Sequence, residues 1–403
     1  MIYVGIDWSS QFNDICIVNE NEQKVKEFRI KINQNGFQYL LEQLSLCVKD
    51  QNDIVIGIET DKNILADFLI SHGYIVYSLN PLKVNRFKDR YSVCAKKDDK
   101  FDAFSIALFL LKDRHNFNPV LPSSPECEEL RLYCETLDQL TRERTRYTNR
   151  LRSDLNAYFP AFCGYFKDMT SNITLKVLKI CSSPSEFKSL SKEQYFEKLG
   201  SIKYLHQKRK VKSYEFLKSE IIYFDSPREK SLANRVIILA DQIIEINRLI
   251  EQTKEKMNNV NESHELATVF ASLPGAGKIL APKMLALFGD NKDRFETYQS
   301  VQCYAGTSPV TAQSGKSFYS VKMRRACNKT FRDVLYKFSF CTISQEGWSA
   351  QYYKQLKDKG HSHSRAIRAL SNKWVKIIFR MWKDGKNYDS NIFVTKRDKY
   401  KAA

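Results

Sequence analysis

The chain contains no run of about 18 or more apolar residues, so no membrane span is expected. Its first residues, Met1-Ile2-Tyr3-Val4-Gly5-Ile6-Asp7, lack the basic-then-apolar order of a secretion signal, and a cytoplasmic protein is expected. Ten cysteines are scattered along the chain and none stands at CxxC spacing, which argues against a zinc ribbon. They read as reduced cysteines, mostly in cores. Six histidines form no ligand cluster; His361-Ser362-His363 is the nearest approach to one. Internal repeats and long low-complexity tracts are absent. A phosphate-binding P-loop is absent too. The segment Leu273-Pro274-Gly275-Ala276-Gly277-Lys278 has too few residues between its glycines and no Ser or Thr after its lysine.

What remains is a folded chain of 403 residues with 43% hydrophobic content, enough for two or three domains. The net charge is +18. Residues 263–403 carry 25 lysines and arginines against 10 aspartates and glutamates. A basic C-terminal third implies a polyanionic partner, most simply nucleic acid.

Residues 1–118 alternate between strand and helix patterns. Tyr3–Asp7, Asp14–Val18 and Val25–Ile32 read as consecutive strands, with Asn19-Glu20-Asn21-Glu22 as a hairpin turn. A helix Phe37–Val48, a strand Ile54–Ile58, a helix Ile64–Ser71 and a strand Tyr74–Leu79 follow. Asn80-Pro81 stops that strand, and Leu82–Asp89 and Asp99–Asp113 read as helices. This order is that of an α/β ribonuclease-H-like domain with its first strand central. A proline-containing loop at 116–125 marks the boundary. Residues 126–262 read as a helical, coiled-coil middle and oligomerisation region. Leu232, Val236, Leu239, Ile243, Ile246 and Ile250 follow heptad spacing, able to pair with the other long helix or with another subunit. No fold is legible for about 160–228. Residues 263–387 form a mostly α domain, and 388–403 a basic tail.

Four carboxylates stand out. Asp7 and Glu59 end apolar strand-like runs; Asp99 and Asp102, at i and i+3, share one side of a helix. Any one alone would read as a turn residue or cap. Together they are expensive to bury unless they hold divalent metal ions, which can clamp a phosphate during phosphodiester cleavage. Asp98 adjoins Asp99 and lies four residues before Asp102. The Pro274-Gly275-Ala276-Gly277-Lys278 segment has the hairpin pattern of helix-hairpin-helix elements, whose glycines let backbone N–H groups approach a phosphate. Further on, Gln313-Ser314-Gly315-Lys316 precedes Lys322, Arg324, Arg325 and Lys329. A serine beside clustered cations is a reasonable nucleophile for a phosphodiester, although residue type alone does not select Ser314 over Ser308, Ser317 or Ser320.

These blocks resemble transposases of the IS one-ten group of insertion sequences, which pair a RuvC-like DEDD domain with a C-terminal transposase domain. The matching segments are Gly5-Ile6-Asp7, Ile58-Glu59, Gly73-Tyr74-Ile75-Val76, Asn80-Pro81 and Lys97-Asp98-Asp99-Lys100-Phe101-Asp102-Ala103. In the C-terminal part they are Leu273-Pro274-Gly275-Ala276-Gly277, Phe288-Gly289-Asp290, Tyr304-Ala305-Gly306-Thr307-Ser308-Pro309 and Gln313-Ser314-Gly315-Lys316. The resemblance implies that Asp7, Glu59, Asp99 and Asp102 bind Mg²⁺ and that Ser314 forms a covalent phosphoserine with DNA. It implies one composite active site in a homo-oligomer, dimer or tetramer, and a structured guide (bridge) RNA that selects donor and target DNA. Gly275, Gly277, Lys278, Lys316, Lys322, Arg324 and Arg325 are expected to contact nucleic acid. A prokaryotic protein, nucleoid-associated when active, is implied. The chain departs from the family in Glu59-Thr60-Asp61-Lys62, where Glu-Ala-Thr-Gly is usual, and at Asp98, where a hydroxyl residue is usual. Competing readings are a RuvC-like nuclease acting on branched DNA by water attack, and a nucleic-acid-binding protein with a dead catalytic site.

Overall fold

The computed structural model describes residues 1–60, 63–90, 99–202, 205–223, 227–314 and 318–391, with backbone alone at 99, 201, 312–314 and 318–320. Lys62, Asp98, Gly315, Lys316 and tail residues 392–403 lie outside the described residues. The chain divides into two compact units, Met1–Ser123 and Ser124–Ala403. The regions read in sequence as 126–262 and 263–387 lie together in the second.

In the first unit, β1 (Ile2–Trp8), β2 (Phe12–Asn19) and β3 (Lys24–Lys31) lead through α1 (Gln34–Cys47) to β4 (Ile54–Ile58). α2 (Ile64–Ser71), β5 (Ile75–Ser78), α3 (Pro81–Lys88) and α4 (Asp99–Asp113) complete it. The β2–β3 turn is built by Asn19, whose Oδ1 accepts the backbone N–H groups of Asn21 and Gln23 at 3.0 Å each. Asn33, Asn63 and Asn80 cap α1, α2 and α3 with their side chains, satisfying otherwise orphaned helix N–H groups. The sheet order is β3-β2-β1-β4-β5, with β1 antiparallel to β2 and parallel to β4.

Side-chain alternation gives the sheet two faces. Ile2, Val4, Ile6, Ile15, Ile17, Ile54, Ile56 and Ile58 pack with Leu40, Leu44, Leu65 and Leu69 of α1 and α2. Tyr3, Cys16, Val18 and Val55 face Val84 and Phe87 of α3 and Ala103, Ile106 and Leu110 of α4. Two glycines set the depth of that second packing. A Cβ on Gly5 would lie 2.0 Å from the Ala103 carbonyl oxygen, and one on Gly57 would lie 2.9 Å from Leu79 Cδ1. The backbone of α4 therefore rests directly on β1.

The second unit is organised by α5 (Pro125–Tyr158) and α11 (Pro227–Ser263). They run antiparallel: Cys134 Sγ is 3.8 Å from Met257 Sδ, and Arg144 donates to Asn247 at 3.2 Å. Val236, Leu239, Ile243, Ile246 and Ile250 are buried with Leu130, Leu137, Leu151 and Leu155 of α5. The heptad seam is thus filled within one chain, and it gives no argument against a monomer. Between the long helices, α6 (Pro160–Tyr165), α7 (Asn172–Ile180), α8 (Pro184–Ser189), α9 (Lys192–Lys198) and α10 (Gln207–Glu220) enclose an aromatic core. Phe159, Phe162, Phe166, Phe187 and Tyr195 form it.

The chain then forms α12 (Ala267–Ala271), α13 (Gly277–Phe288), α14 (Tyr298–Tyr304), a hairpin β6 (Val310–Ser314) and β7 (Phe318–Lys322), α15 (Lys329–Gln345), α16 (Gly347–Asp358) and α17 (His363–Asp384). Phe270, Phe288, Phe331, Phe338, Trp374 and Trp382 are its largest fully buried side chains. Among the described residues, no helix is long and apolar enough to cross a membrane.

Candidate active site and nucleic-acid interface

Strand register brings two of the predicted carboxylates together. Ile6 of β1 pairs with Ile58 of β4. Asp7 and Glu59 follow immediately at the ends of these adjacent parallel strands, both half-buried. Alternation puts Asp7 on the face of Tyr3 and Gly5, and Glu59 on the face of Val55 and Gly57, which is the face that α4 covers. Asp102 lies in the first turn of α4, half-buried, with its Oδ1 2.8 Å from Lys88 Nζ of α3. Asp99 opens α4 three residues earlier; its side chain is not among those described. A fifth acidic residue, Asp14, sits across the β1–β2 ladder from Asp7, and Arg29 binds its carboxylate with Nη2 at 2.7 Å.

Asp7, Glu59 and Asp102 offer carboxylate oxygens, the donor type that a hard divalent cation such as Mg²⁺ takes. The Lys88 ammonium shows that a positive charge already fits at Asp102. Sequence reading missed Lys88. It is one of several basic residues on α3, and only the packing of α3 against α4 singles it out.

A second cluster lies in the helical unit, where ligand atoms of Cys127, His264 and Asp290 fall within 4.8 Å of one another. Its hydrogen bonding reads as structural. The Leu266 N–H donates to His264 Nδ1 at 3.1 Å, so in the neutral ring the proton is on Nε2, which faces Asp290 Oδ2 at 3.5 Å. A protonated nitrogen is not a metal ligand. Burial, reinforced by Asp290, pushes the Cys127 thiol up to about 12, so it remains a thiol. Burial alone would raise the Asp290 carboxyl, but hydrogen bonds from Ser124 bring it below the usual aspartate value. The Ser124 N–H to Asp290 Oδ2 distance is 3.0 Å.

The glycine hairpin joins α12 to α13. Gly275 and Gly277 have φ of +78° and +53°. A Cβ on Gly275 would lie 3.1 Å from Cys341 Cβ of α15, whereas one on Gly277 would meet nothing within 4 Å. Gly275 therefore packs the turn. Gly277 and Lys278 are exposed at the start of α13.

Ser314 ends β6, with its backbone paired to Phe318 of β7, so it stands at the tip end of a hairpin ladder rather than in an isolated turn. The base of this hairpin is fixed by the preceding motif. Thr307 is buried and donates to Asn372 Oδ1 of α17 at 2.8 Å. Gly306, at φ +69°, lies where a Cβ would be 2.4 Å from Cys327 Sγ. Asn328 N–H donates to the Tyr304 carbonyl at 2.8 Å. Lys322 and Arg325 are exposed, while Arg324 is half-buried with its Nε unpaired among the described residues.

An α/β unit with carboxylates at its strand ends is followed by a mostly helical unit with a basic last third, a charge that suits a polyanionic partner. Residues 4–160 match the DEDD transposase model of IS110, and residues 267–354 match the model described as transposase IS116/IS110/IS902 family. The chain belongs to this family of insertion-sequence transposases and recombinases. It is 22% identical over 401 residues to a Streptomyces coelicolor protein named as a mini-circle transposase for IS117, covering 96% of this chain and 95% of that one. An uncharacterized 44.8 kDa protein of insertion element IS116 from Streptomyces clavuligerus is 25% identical over 393 residues, with 95% of each chain covered. The pilin gene-inverting protein of Moraxella bovis is 22% identical over 396 residues, covering 97% and 98%. The DEDD match implies a ribonuclease-H-like fold and divalent-metal dependence.

Proposed function

We propose that this transposase cuts and rejoins DNA through a phosphoserine at Ser314, assisted by Mg²⁺ held by Asp7, Glu59, Asp99 and Asp102, with a structured guide RNA selecting donor and target sites. The observation that carries the metal part is the Ile6–Ile58 register, which sets Asp7 and Glu59 side by side under α4. Bound Mg²⁺ would supply Lewis acidity to the transferring phosphoryl group. The serine Oγ forms a bond to phosphorus, one P–O bond of the DNA breaks, and the departing oxygen takes a proton. In the reverse step a DNA hydroxyl attacks the phosphoserine and Ser314 regains its hydroxyl. The phosphoester count is conserved, so no nucleotide cofactor is consumed. Gly277, Lys278, Lys316, Lys322, Arg324 and Arg325 contact the nucleic acid, and the working form is a homo-oligomer.

The test is covalent capture. Protein co-expressed with transcripts of the flanking element is mixed with labelled donor and target DNA and Mg²⁺, then run on a denaturing gel. A protein–DNA band lost in Ser314→Ala and in Asp7→Ala is expected. Cleaved DNA without such a band would replace this reading with the water-using nuclease.

A further inference from the structure

The exposed face of α15 does not belong to the core, to the carboxylate site or to the glycine hairpin. Phe331, Val334, Leu335 and Phe338 turn inward. Lys329, Arg332, Tyr336 and Phe340 recur at helical spacing on the other side. Phe340 is 59% exposed. The first turns of α17 form the opposite wall, and the two enclose a groove of about 510 Å³. Arg368 crosses it, with Nε donating to Tyr336 Oη at 3.3 Å. The groove's carboxylate, Asp333, is paired with Lys337 at 2.7 Å. Lys329, Arg332 and Arg368 therefore leave the groove net positive around two aromatic rings.

Cations that follow a backbone and aromatic faces that accept bases are the two requirements for holding an unpaired polynucleotide. In an intact duplex the bases are already stacked on one another, so a ring can meet a base face only by wedging between steps at the cost of unstacking them, whereas an unpaired strand offers its base faces freely. We infer that the α15–α17 groove binds an unpaired DNA strand, with a base stacked on Phe340 beside Tyr336 and phosphates against Lys329, Arg332 and Arg368. DNA is the unpaired strand that strand transfer itself supplies, and RNA is the competing occupant that the oligo-U arm of the test addresses. This inference rests on the reading of the chain as a DNA strand-transfer enzyme, since strand exchange must expose unpaired DNA.

The experiment uses the full chain without Mg²⁺, so that binding is read apart from cleavage. Fluorescence anisotropy would compare a twelve-nucleotide oligo-dT, the matching oligo-U and a duplex of the same length. Phe340→Ala changes an exposed side chain and should leave the fold intact. It is expected to weaken oligo-dT binding about tenfold with little change for duplex. Arg368→Gln and Lys329→Gln should each lower the slope of log affinity against log salt by about 0.7. Ultraviolet crosslinking of iododeoxyuridine-substituted oligo-dT should map to Phe340 or Tyr336. Equal losses for duplex, a larger loss for oligo-U, or crosslinks confined to other helices would overturn the inference. Failure of the Ser314 adduct with these crosslinks intact would sink the phosphoserine chemistry and leave the groove standing.

Discussion

Lys88 Nζ and Asp102 Oδ1 are 2.8 Å apart, with side chains only 16% and 21% exposed. The pair joins the last turn of α3 to the first turn of α4 and puts an ammonium against one of the four proposed metal-binding carboxylates. Lysine and a divalent cation then compete for Asp102. Lys88→Met should increase the thermal upshift produced by Mg²⁺ or Mn²⁺ and lower the metal-free melting temperature, because Asp102 loses its partner. Differential scanning fluorimetry across a metal titration checks both. An unchanged upshift would mean that the lysine does not compete with metal.

Removing the carboxylates at the strand ends should have the opposite effect. Asp7→Asn and Glu59→Gln remove charge and keep the side-chain shape, so the fold should survive. Metal binding measured by calorimetry should fall at least tenfold, and strand cleavage should be lost. Retained metal affinity in the double variant would move the metal elsewhere.

The contact between Gly5 and α4 is testable by one methyl group. Gly5→Ala would drive a Cβ toward the Ala103 carbonyl, which cannot move without the helix. A loss of about 3 kcal/mol or more is expected in urea unfolding. Gly57→Ala meets the Leu79 side chain, which can shift, and should cost less.

Ile243 is fully buried in the α5–α11 spine. Ile243→Ala should cost about 2–5 kcal/mol. Because the seam closes within one chain, the sedimentation coefficient of the remaining native protein should not change. Dissociation of an oligomer would show that the seam is shared between subunits.

Asp290 sets a pH dependence whose sign follows from its lowered carboxyl. The stabilisation is present above the unfolded aspartate value, about 3.9, and disappears as pH falls through the lower folded value. Asp290→Asn should therefore be less stable than the parent by about 1–3 kcal/mol at neutral pH. The gap should narrow below about pH 4. Melting curves from pH 3 to 7 would decide it.

Much of this was written locally. Continuous short apolar runs with terminal carboxylates set out β1 and β4, the i and i+3 spacing of Asp99 and Asp102 put them on one side of α4, and the 4-3 apolar spacing set out α11. Apolar runs and helical periods need only neighbouring positions, so they are legible without a fold. The sequence also determined the basic bias of the last third and the order of the family's motifs. Tertiary structure decided what those elements meet. It paired α11 with α5 inside the chain, chose Lys88 from the cations of α3, tied Ser124 to Asp290, and left Phe340 facing outward. The helices between 160 and 220 were not read from sequence, and their positions come from a shared aromatic core. Such pairings depend on residues far apart in the chain, and no local spacing records them.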